Sequence, residues 1–224
     1  MLMGDGCLAK NSKGKRVYLI IEHGPSQDGY ARHKAEFLRQ YSEWVKVTDK
    51  VTNQHGGNYK TTRVVARLPD GVLRHLNKFD RVYRDNKEKI FSDYAASRIT
   101  LLGLMYWFID DGTAHVKDYY NESKKAMVTQ RVFRLGTYGL DKASKKRVSD
   151  CFEKRFGIKT NVIKAGGGRT LHSFPVKEMK KLIDILSPYL SDIPKCVRYK
   201  FDMRYKEDPI YSRWSSEEAF SAQP

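Results

Sequence analysis

Two aspartates that each precede a glycine are the residues of this 224-residue chain best suited to chemistry. Asp111 ends an apolar run that starts at Ile99, and Asp5 ends a shorter run that starts at Met1. The C-terminus of a helix carries partial negative charge, so carboxylates there are unfavourable unless a cation is bound. Divalent cations such as Mg²⁺ prefer carboxylate oxygens. Asp5 and Asp111 are therefore candidate metal ligands.

A purely structural role is the alternative for both aspartates. Asp-Gly is a common turn dipeptide, so either pair could simply end a buried helix. The pattern occurs twice, about half a chain apart, which favours an internal duplication. Asp110 neighbours Asp111 in sequence, but its side chain should point elsewhere on a helix, and we expect it to be secondary.

The elements that position these aspartates follow from the spacing of apolar residues. Residues 99–111 are apolar until their last two positions and too short to cross a bilayer, so they predict a buried helix that ends at Gly112. Before this helix, the pattern predicts strands at 7–10, 16–23, 44–52 and 59–68, and helices at 26–41 and 70–79. After it, the pattern predicts strands at 113–117, 126–136, 159–164 and 169–174, and helices at 141–156 and 175–186.

The chain therefore divides into two pseudo-symmetric α+β halves, each with the order α-β-β-α-β-β-α and an antiparallel sheet. The predicted boundaries are 1–80 for the first half, 81–98 for the connection, 99–201 for the second half and 202–224 for a charged tail. The first helix is truncated to Met1–Gly4, so the long helix at 99–109 needs other cover. We expect residues upstream of Met1, another chain or another segment to fill the groove beside Leu101, Leu104, Met105 and Phe108.

Charge and cysteine content limit the possible functions. Lys and Arg number 42 against 26 Asp and Glu, which gives a formal net charge of +16 and indicates a polyanionic partner. The hydrophobic content of 40% indicates a folded chain. Three cysteines without CxxC spacing suggest free thiols rather than a zinc site. With no signal peptide or membrane-spanning run in the sequence, we expect an intracellular, reducing compartment and no membrane.

Basic and aromatic residues along the predicted strands are the candidates for contact with this polyanion. A twisted sheet fits the major groove of DNA, where base edges show a distinguishable pattern of donors and acceptors. Any one of these residues could be an ordinary surface charge, but their alternation along four strands favours binding. The candidates are Arg16, Tyr18, Lys60, Arg63 and Arg67 in the first half, and Arg131, Arg134, Lys164 and Arg169 in the second.

Three segments together resemble the LAGLIDADG homing endonucleases. Tyr106–Gly112, with the sequence YWFIDDG, resembles the second core motif of that family. Met1–Gly6 resembles the end of the first motif. Pro188–Leu190, followed by Tyr199 and Lys200, resembles the closing segment of the monomeric members that carry two motifs. The resemblance extends from the start of the chain to about residue 201.

This resemblance implies a site-specific endonuclease of the kind that acts in intron homing. Two motif helices would pack side by side at a pseudo-two-fold axis and bring Asp5 and Asp111 together. The expected cofactor is Mg²⁺ or another divalent cation such as Mn²⁺, and the expected product is a double-strand break in DNA with 3′ overhangs. The family also places a lysine near each site. Lys200 matches in the second half, and Lys89 is the choice in the first, with Lys87 in reserve.

Two other functions are compatible with the same fold. An intron RNA maturase would bind RNA, and a non-cleaving DNA-binding protein would bind duplex DNA without hydrolysis. Either could retain the aspartates and Lys200, so these residues favour the enzyme without excluding the alternatives. Divalent-cation-dependent cleavage of the uninterrupted copy of the chain's own genomic location would distinguish them.

Overall fold

The computed structural model describes residues 4–10, 17–54, 57–72 and 90–201. In the first half, four antiparallel strands form one sheet in the order β1-β2-β4-β3. Helix α1 follows β2 and precedes β3 in the sequence, and it packs on one face of this sheet. The bounds are β1 Cys7–Lys10, β2 Val17–His23, α1 Asp28–Arg39, β3 Trp44–Gln54 and β4 Gly57–Arg67.

The second half repeats this arrangement and begins with the apolar helix. Its sheet has the order β5-β6-β8-β7, again antiparallel. The strands are β5 Gly112–Asn121, β6 Ala126–Leu135, β7 Asn161–Lys164 and β8 Thr170–Phe174. The helices are α2 Asp93–Arg98, α3 Leu101–Asp111, α4 Lys142–Phe156, α5 Val176–Leu186 and α6 Lys195–Arg198. None of the helices in the described ranges is long and apolar enough to span a membrane.

Helix α3 begins two residues after the predicted position 99 and ends before Gly112, as its sequence predicts. The side chain of Thr100 accepts a hydrogen bond from the Gly103 backbone N–H at 3.0 Å, which caps the first turn. At the other end, the Gly112 N–H donates to the carbonyl of Phe108. Every residue from Leu104 to Ile109 is buried, as expected for a helix that is apolar on all sides.

Other segments of this chain cover α3 on both sides. Phe108 packs against three phenylalanines of the second half, Phe133, Phe174 and Phe201. Tyr106 stacks on Tyr30 of the first half at 6.2 Å between ring centroids and contacts Phe37. The groove beside Leu104, Met105 and Phe108 is thus filled within the chain, and Leu101 is half-buried. Helix α3 therefore joins the cores of the two halves.

The predicted fold class is confirmed, with small shifts at element ends. Helix α1 is two residues shorter at each end than the predicted 26–41, because a 3-10 turn at Pro25–Gln27 precedes it and Gln40 closes it. The predicted connection at 81–98 contains the short helix α2, capped by Ser92. For the predicted helix at 70–79, residues 70–72 are helical and the remainder lies outside the described ranges, as do Met1–Met3 and the tail after 201.

Candidate functional site

The two Asp-Gly motifs meet where the first segment touches the end of α3. The backbone N–H of Asp5 donates to Oδ2 of Asp110 at 3.2 Å, across 105 residues of sequence. A Cβ on Gly4 would overlap the side chain of Asp110, so only glycine fits at that position without a shift of the neighbouring atoms. The two segments that end in Asp-Gly are thus in direct contact through Gly4, Asp5 and Asp110.

Asp110, which the sequence analysis expected to be secondary to Asp111, is at the centre of this contact. Its carboxylate is fully buried and accepts hydrogen bonds from Lys34 Nζ at 2.6 Å and from the Tyr30 hydroxyl at 2.9 Å, both at Oδ1. The side chain points away from Asp111, as helical geometry requires, but that direction leads into the first half. No local sequence pattern indicates this contact, because Lys34 lies 76 residues away on another element.

Lys34 and His23 complete a buried polar cluster around Asp110. The Lys34 ammonium lies 4.2 Å from the centre of the Tyr30 ring and 3.0 Å from His23 Nε2. Because an ammonium can only donate, Nε2 accepts and Nδ1 carries the proton, which is donated to Gln27 Oε1 at 3.0 Å. Burial and the nearby Lys34 charge lower the pKa of His23 to about 4, so the ring is neutral at pH 7.

Lys200, the lysine that the sequence analysis proposed for the second half, lies against the C-terminal end of α3. Its ammonium donates to the backbone carbonyls of Ile109 and, at 3.3 Å, of Asp110. A cation is favoured there by the helix dipole. Burial lowers the pKa of Lys200, and the negative charges of Asp110, Asp5 and Asp111 oppose that shift. All three carboxylates therefore lie close enough to act on one ammonium.

Asp111 lies at the last helical position of α3, beside the start of the second sheet. Its backbone carbonyl accepts a hydrogen bond from the Gly136 N–H at 2.8 Å, which ties the end of the helix to the end of β6. The charges of Asp5 and Asp111 both act on Lys34, as they do on Lys200. Lys89 and its reserve Lys87 lie outside the described residues, so their proposed place beside the first half stays a prediction.

The donor atoms at this site suit a hard divalent cation at Asp5 and Asp111 better than at Asp110. Oxygens of Asp5 and Asp110 and a ring nitrogen of His23 lie within 4.8 Å of one another. Asp110 and His23 are bound to the Lys34 ammonium, which would repel a cation held by them. The Asp5 side chain is 35% exposed and Asp111 is half-buried, so these carboxylates can meet a cation that keeps several waters.

The outward face of the first sheet carries three of the predicted DNA-contacting residues. Strand pairing puts Tyr18, Arg67 and Trp44 side by side, on the face opposite the core residues Leu19 and Ala66. The Tyr18 and Trp44 rings are 5.8 Å apart, and Trp44 is a surface aromatic that the sequence analysis missed. Arg63 lies on the same face, four residues before Arg67 on β4.

Lys60 is exposed but lies on the opposite face from Arg63, because it is an even number of residues from the buried Thr62 and Val64. The sheet therefore does not bring Lys60 together with Tyr18, Arg63 and Arg67. The Arg67 guanidinium is paired with Glu43 at 2.7 Å. Arg16 is outside the described residues.

In the second sheet, Arg134 is exposed on the outward face, next to Ser173 of β8. Arg169 lies 5.4 Å above the Tyr138 ring. Lys164 is exposed at the edge strand but, by strand pairing, on the same face as the buried His172 and so opposite Arg134. Arg131 falls within β6, and its side chain is outside what the structure describes.

Comparison with known proteins identifies relatives of this arrangement. The model of the LAGLIDADG DNA endonuclease family matches residues 1–182. Among solved structures, the homing endonuclease I-WcaI bound to its DNA recognition sequence is similar with a TM-score of 0.66 and 20% identity, covering 88% of this chain and 80% of that one. This likeness shows that the fold is shared.

Curated relatives match over part of their length. A RecA protein of Mycolicibacterium flavescens is 24% identical over 92% of this chain but only 45% of its own length. A probable intron-encoded DNA endonuclease 3 of Mycosarcoma maydis is 28% identical over 46% of this chain and 67% of its own length. The chain thus spans less than half of the RecA protein that it matches.

Proposed function

The chain belongs to the LAGLIDADG DNA endonuclease family, and on that premise we propose that it is a site-specific endonuclease that cuts both strands of duplex DNA. The observation that carries this proposal is the contact of Asp5 with Asp110, the residue before the second Asp-Gly pair, with Lys200 held at the end of α3 under the influence of the Asp5, Asp110 and Asp111 charges. We further propose that the reaction depends on a divalent cation, leaves 3′ overhangs and is carried out by a monomer, since one chain supplies both motifs.

In this proposal each strand of the duplex is cut at its own site, and Asp5 in one site and Asp111 in the other supply carboxylates that hold the divalent cations. When bound, a divalent cation supplies Lewis acidity toward the phosphate and lowers the pKa of a coordinated water. The Lys200 ammonium is held at the end of α3 by two backbone carbonyls, where it can stabilise negative charge that develops at the phosphorus. Its fixed position means that little reorganisation is needed during the reaction.

The two sheets supply the proposed surface for duplex DNA. Tyr18, Arg63 and Arg67 share the outward face of the first sheet, and Arg134 lies on the outward face of the second. A net charge of +16 favours a polyanion, and contacts to phosphates would give affinity without sequence information. Tyr18 and Trp44 add apolar surface of the kind that contacts base edges, such as the thymine methyl group.

The experiment that tests this function is selection of cleaved duplexes from a randomised library in the presence of Mg²⁺, followed by mapping of both cut positions. The proposal predicts one preferred sequence, two cuts with a 3′ stagger, and no cutting in EDTA. Asp111→Asn is the active-site control, and Asp150→Asn, at an exposed carboxylate of α4, is the matched surface control. Tight binding without any cut would instead support a non-cleaving protein, and preference for intron RNA would support a maturase.

A further inference from the structure

Asp110 belongs to the second half but makes its side-chain contacts in the first. Oδ2 of its carboxylate accepts a hydrogen bond from the Asp5 N–H, and Oδ1 accepts hydrogen bonds from Lys34 Nζ and the Tyr30 hydroxyl. Both Lys34 and Asp110 have side chains with no exposed surface. An ion pair so deeply buried is expensive to desolvate and is a weak reason for stability in itself. A gain in stability therefore does not explain why Lys34 and Asp110 are paired in the interior.

The two Asp-Gly motifs are held by different means. Helix α3 runs through Asp111, and the Gly112 N–H continues the helical hydrogen-bonding pattern to Phe108. Gly4 and Asp5 form a turn instead, and the Asp5 N–H is directed across to the Asp110 carboxylate. The Asp5 backbone is thus restrained by a side chain of the other half, whereas the Asp111 backbone lies within a helix.

We infer that Asp110 is a positioning residue for Asp5, and that Lys34 and Tyr30 hold Asp110 in the orientation this requires. The site of the first half then depends on a side chain of the second half. Gly4 agrees with this role, because its missing Cβ is what lets the Asp110 carboxylate reach the Asp5 N–H. The contacts themselves do not depend on the proposed function, but their consequence for cleavage rests on it.

Asp110→Asn is the sharpest perturbation, because the amide has nearly the same shape but only one acceptor oxygen. If that oxygen stays with Lys34 and Tyr30, the amide NH₂ faces the Asp5 N–H, a donor against a donor. We expect hydrogen exchange of the Asp5 amide, followed by NMR on the full chain, to accelerate about tenfold or more. The Gly136 amide, which donates to the Asp111 carbonyl, serves as the control within the molecule and should change by less than about threefold.

A second variant guards against loss of folding from an unpaired buried ammonium. Asp110→Ala combined with Lys34→Met removes the acceptor and the charge together, so the interior stays neutral. The same selective acceleration at Asp5 is expected. Asp150→Asn combined with Lys146→Met removes an exposed ion pair on α4 and is the matched control. Unchanged exchange at Asp5 in either folded variant, or equal acceleration at Asp5 and Gly136, would overturn the inference.

Strand-specific rates provide the functional measurement. Each strand of a duplex selected by the wild-type chain is labelled separately and cut under single-turnover conditions with Mg²⁺. Asp110→Asn should slow one strand about tenfold or more and leave the other within about threefold, because only one motif loses its restraint. Equal slowing of both strands would contradict the inference. If the wild-type chain cuts no duplex, the proposed function fails, and the exchange measurement still decides the role of Asp110.

Discussion

His172 makes the stability of the second half dependent on pH. The ring is fully buried between β8 and α4. Its Nε2–H donates to the Lys145 carbonyl at 3.1 Å, and its Nδ1 accepts from the Thr137 hydroxyl at 2.8 Å. These contacts suit a neutral imidazole, and burial lowers its pKa from the usual 6.5 to about 4. The folded protein therefore excludes a proton that the unfolded chain accepts.

The sign and the size of the effect follow from these two pKa values. Between pH 6.5 and 4 the unfolded chain binds the proton and the folded chain does not, so acid favours unfolding. Stability is full above pH 6.5 and falls as the pH drops toward 4. From pH 7 to pH 5 the loss in free energy of unfolding from this one residue is about 2 kcal/mol. That is a large fraction of the roughly 5–15 kcal/mol typical of a domain.

Urea denaturation of the wild type and of His172→Gln at pH 7 and pH 5 would measure this loss. Glutamine keeps a donor and an acceptor but does not titrate. The variant should be less stable at pH 7, because its packing is imperfect, yet lose about 2 kcal/mol less than the wild type on acidification. Measurements at pH 8, where His172 is neutral in both the folded and the unfolded state, provide the baseline. The same loss in both proteins would show that His172 is not the acid-sensitive group.

Three further outcomes concern DNA cleavage and DNA binding. Asp5→Asn or Asp111→Asn should abolish double-strand cutting while DNA affinity stays within about tenfold, because these residues hold the divalent cations and not base edges; a variant that cuts both strands at the normal rate would remove the metal assignment. Lys200→Met should lower the single-turnover rate more than the affinity, since its charge acts as negative charge develops; equal losses would make it an ordinary phosphate contact. Raising salt from about 50 to 200 mM should weaken DNA binding roughly 10³–10⁵-fold if six to ten phosphates are contacted, and a flat response in a filter-binding assay would refute the polyanion argument.

Elements whose signals are local could be predicted from the sequence. Helix α3 has a continuous apolar run with Thr100 before it and Gly112 after it, and its bounds differ little from those expected. Strands β2 and β4 alternate between core and surface as predicted, and their register puts Tyr18, Arg63 and Arg67 on one face. The same alternation placed Lys60 apart from Arg63, although charge alone had grouped them.

The polar cluster of the site could not be predicted in the same way. In the sequence, Lys34 resembles the other charged residues of an amphipathic helix, and no local pattern indicates that its side chain is buried. Its partner Asp110 is distinguished in the sequence only as the residue before Asp111. Only the packing of α1 against α3 brings the two together, and that packing depends on tertiary contacts between Tyr30 and Tyr106 across 76 residues.

The close approach of Gly4 to Asp110 also bears on how such proteins can be recombined. Two-part nucleases, the class proposed for this chain, invite exchange of one half for another to obtain new target sequences. Here the halves share a matched set, with Gly4 and Lys34 from one and Asp110 from the other. A chimera that received only the first half would bring Lys34 without its counter-ion, and one that received only the second would place Asp110 against a foreign side chain. The unit of exchange in this protein therefore crosses the boundary between its halves, and successful chimeras must transfer all three residues together.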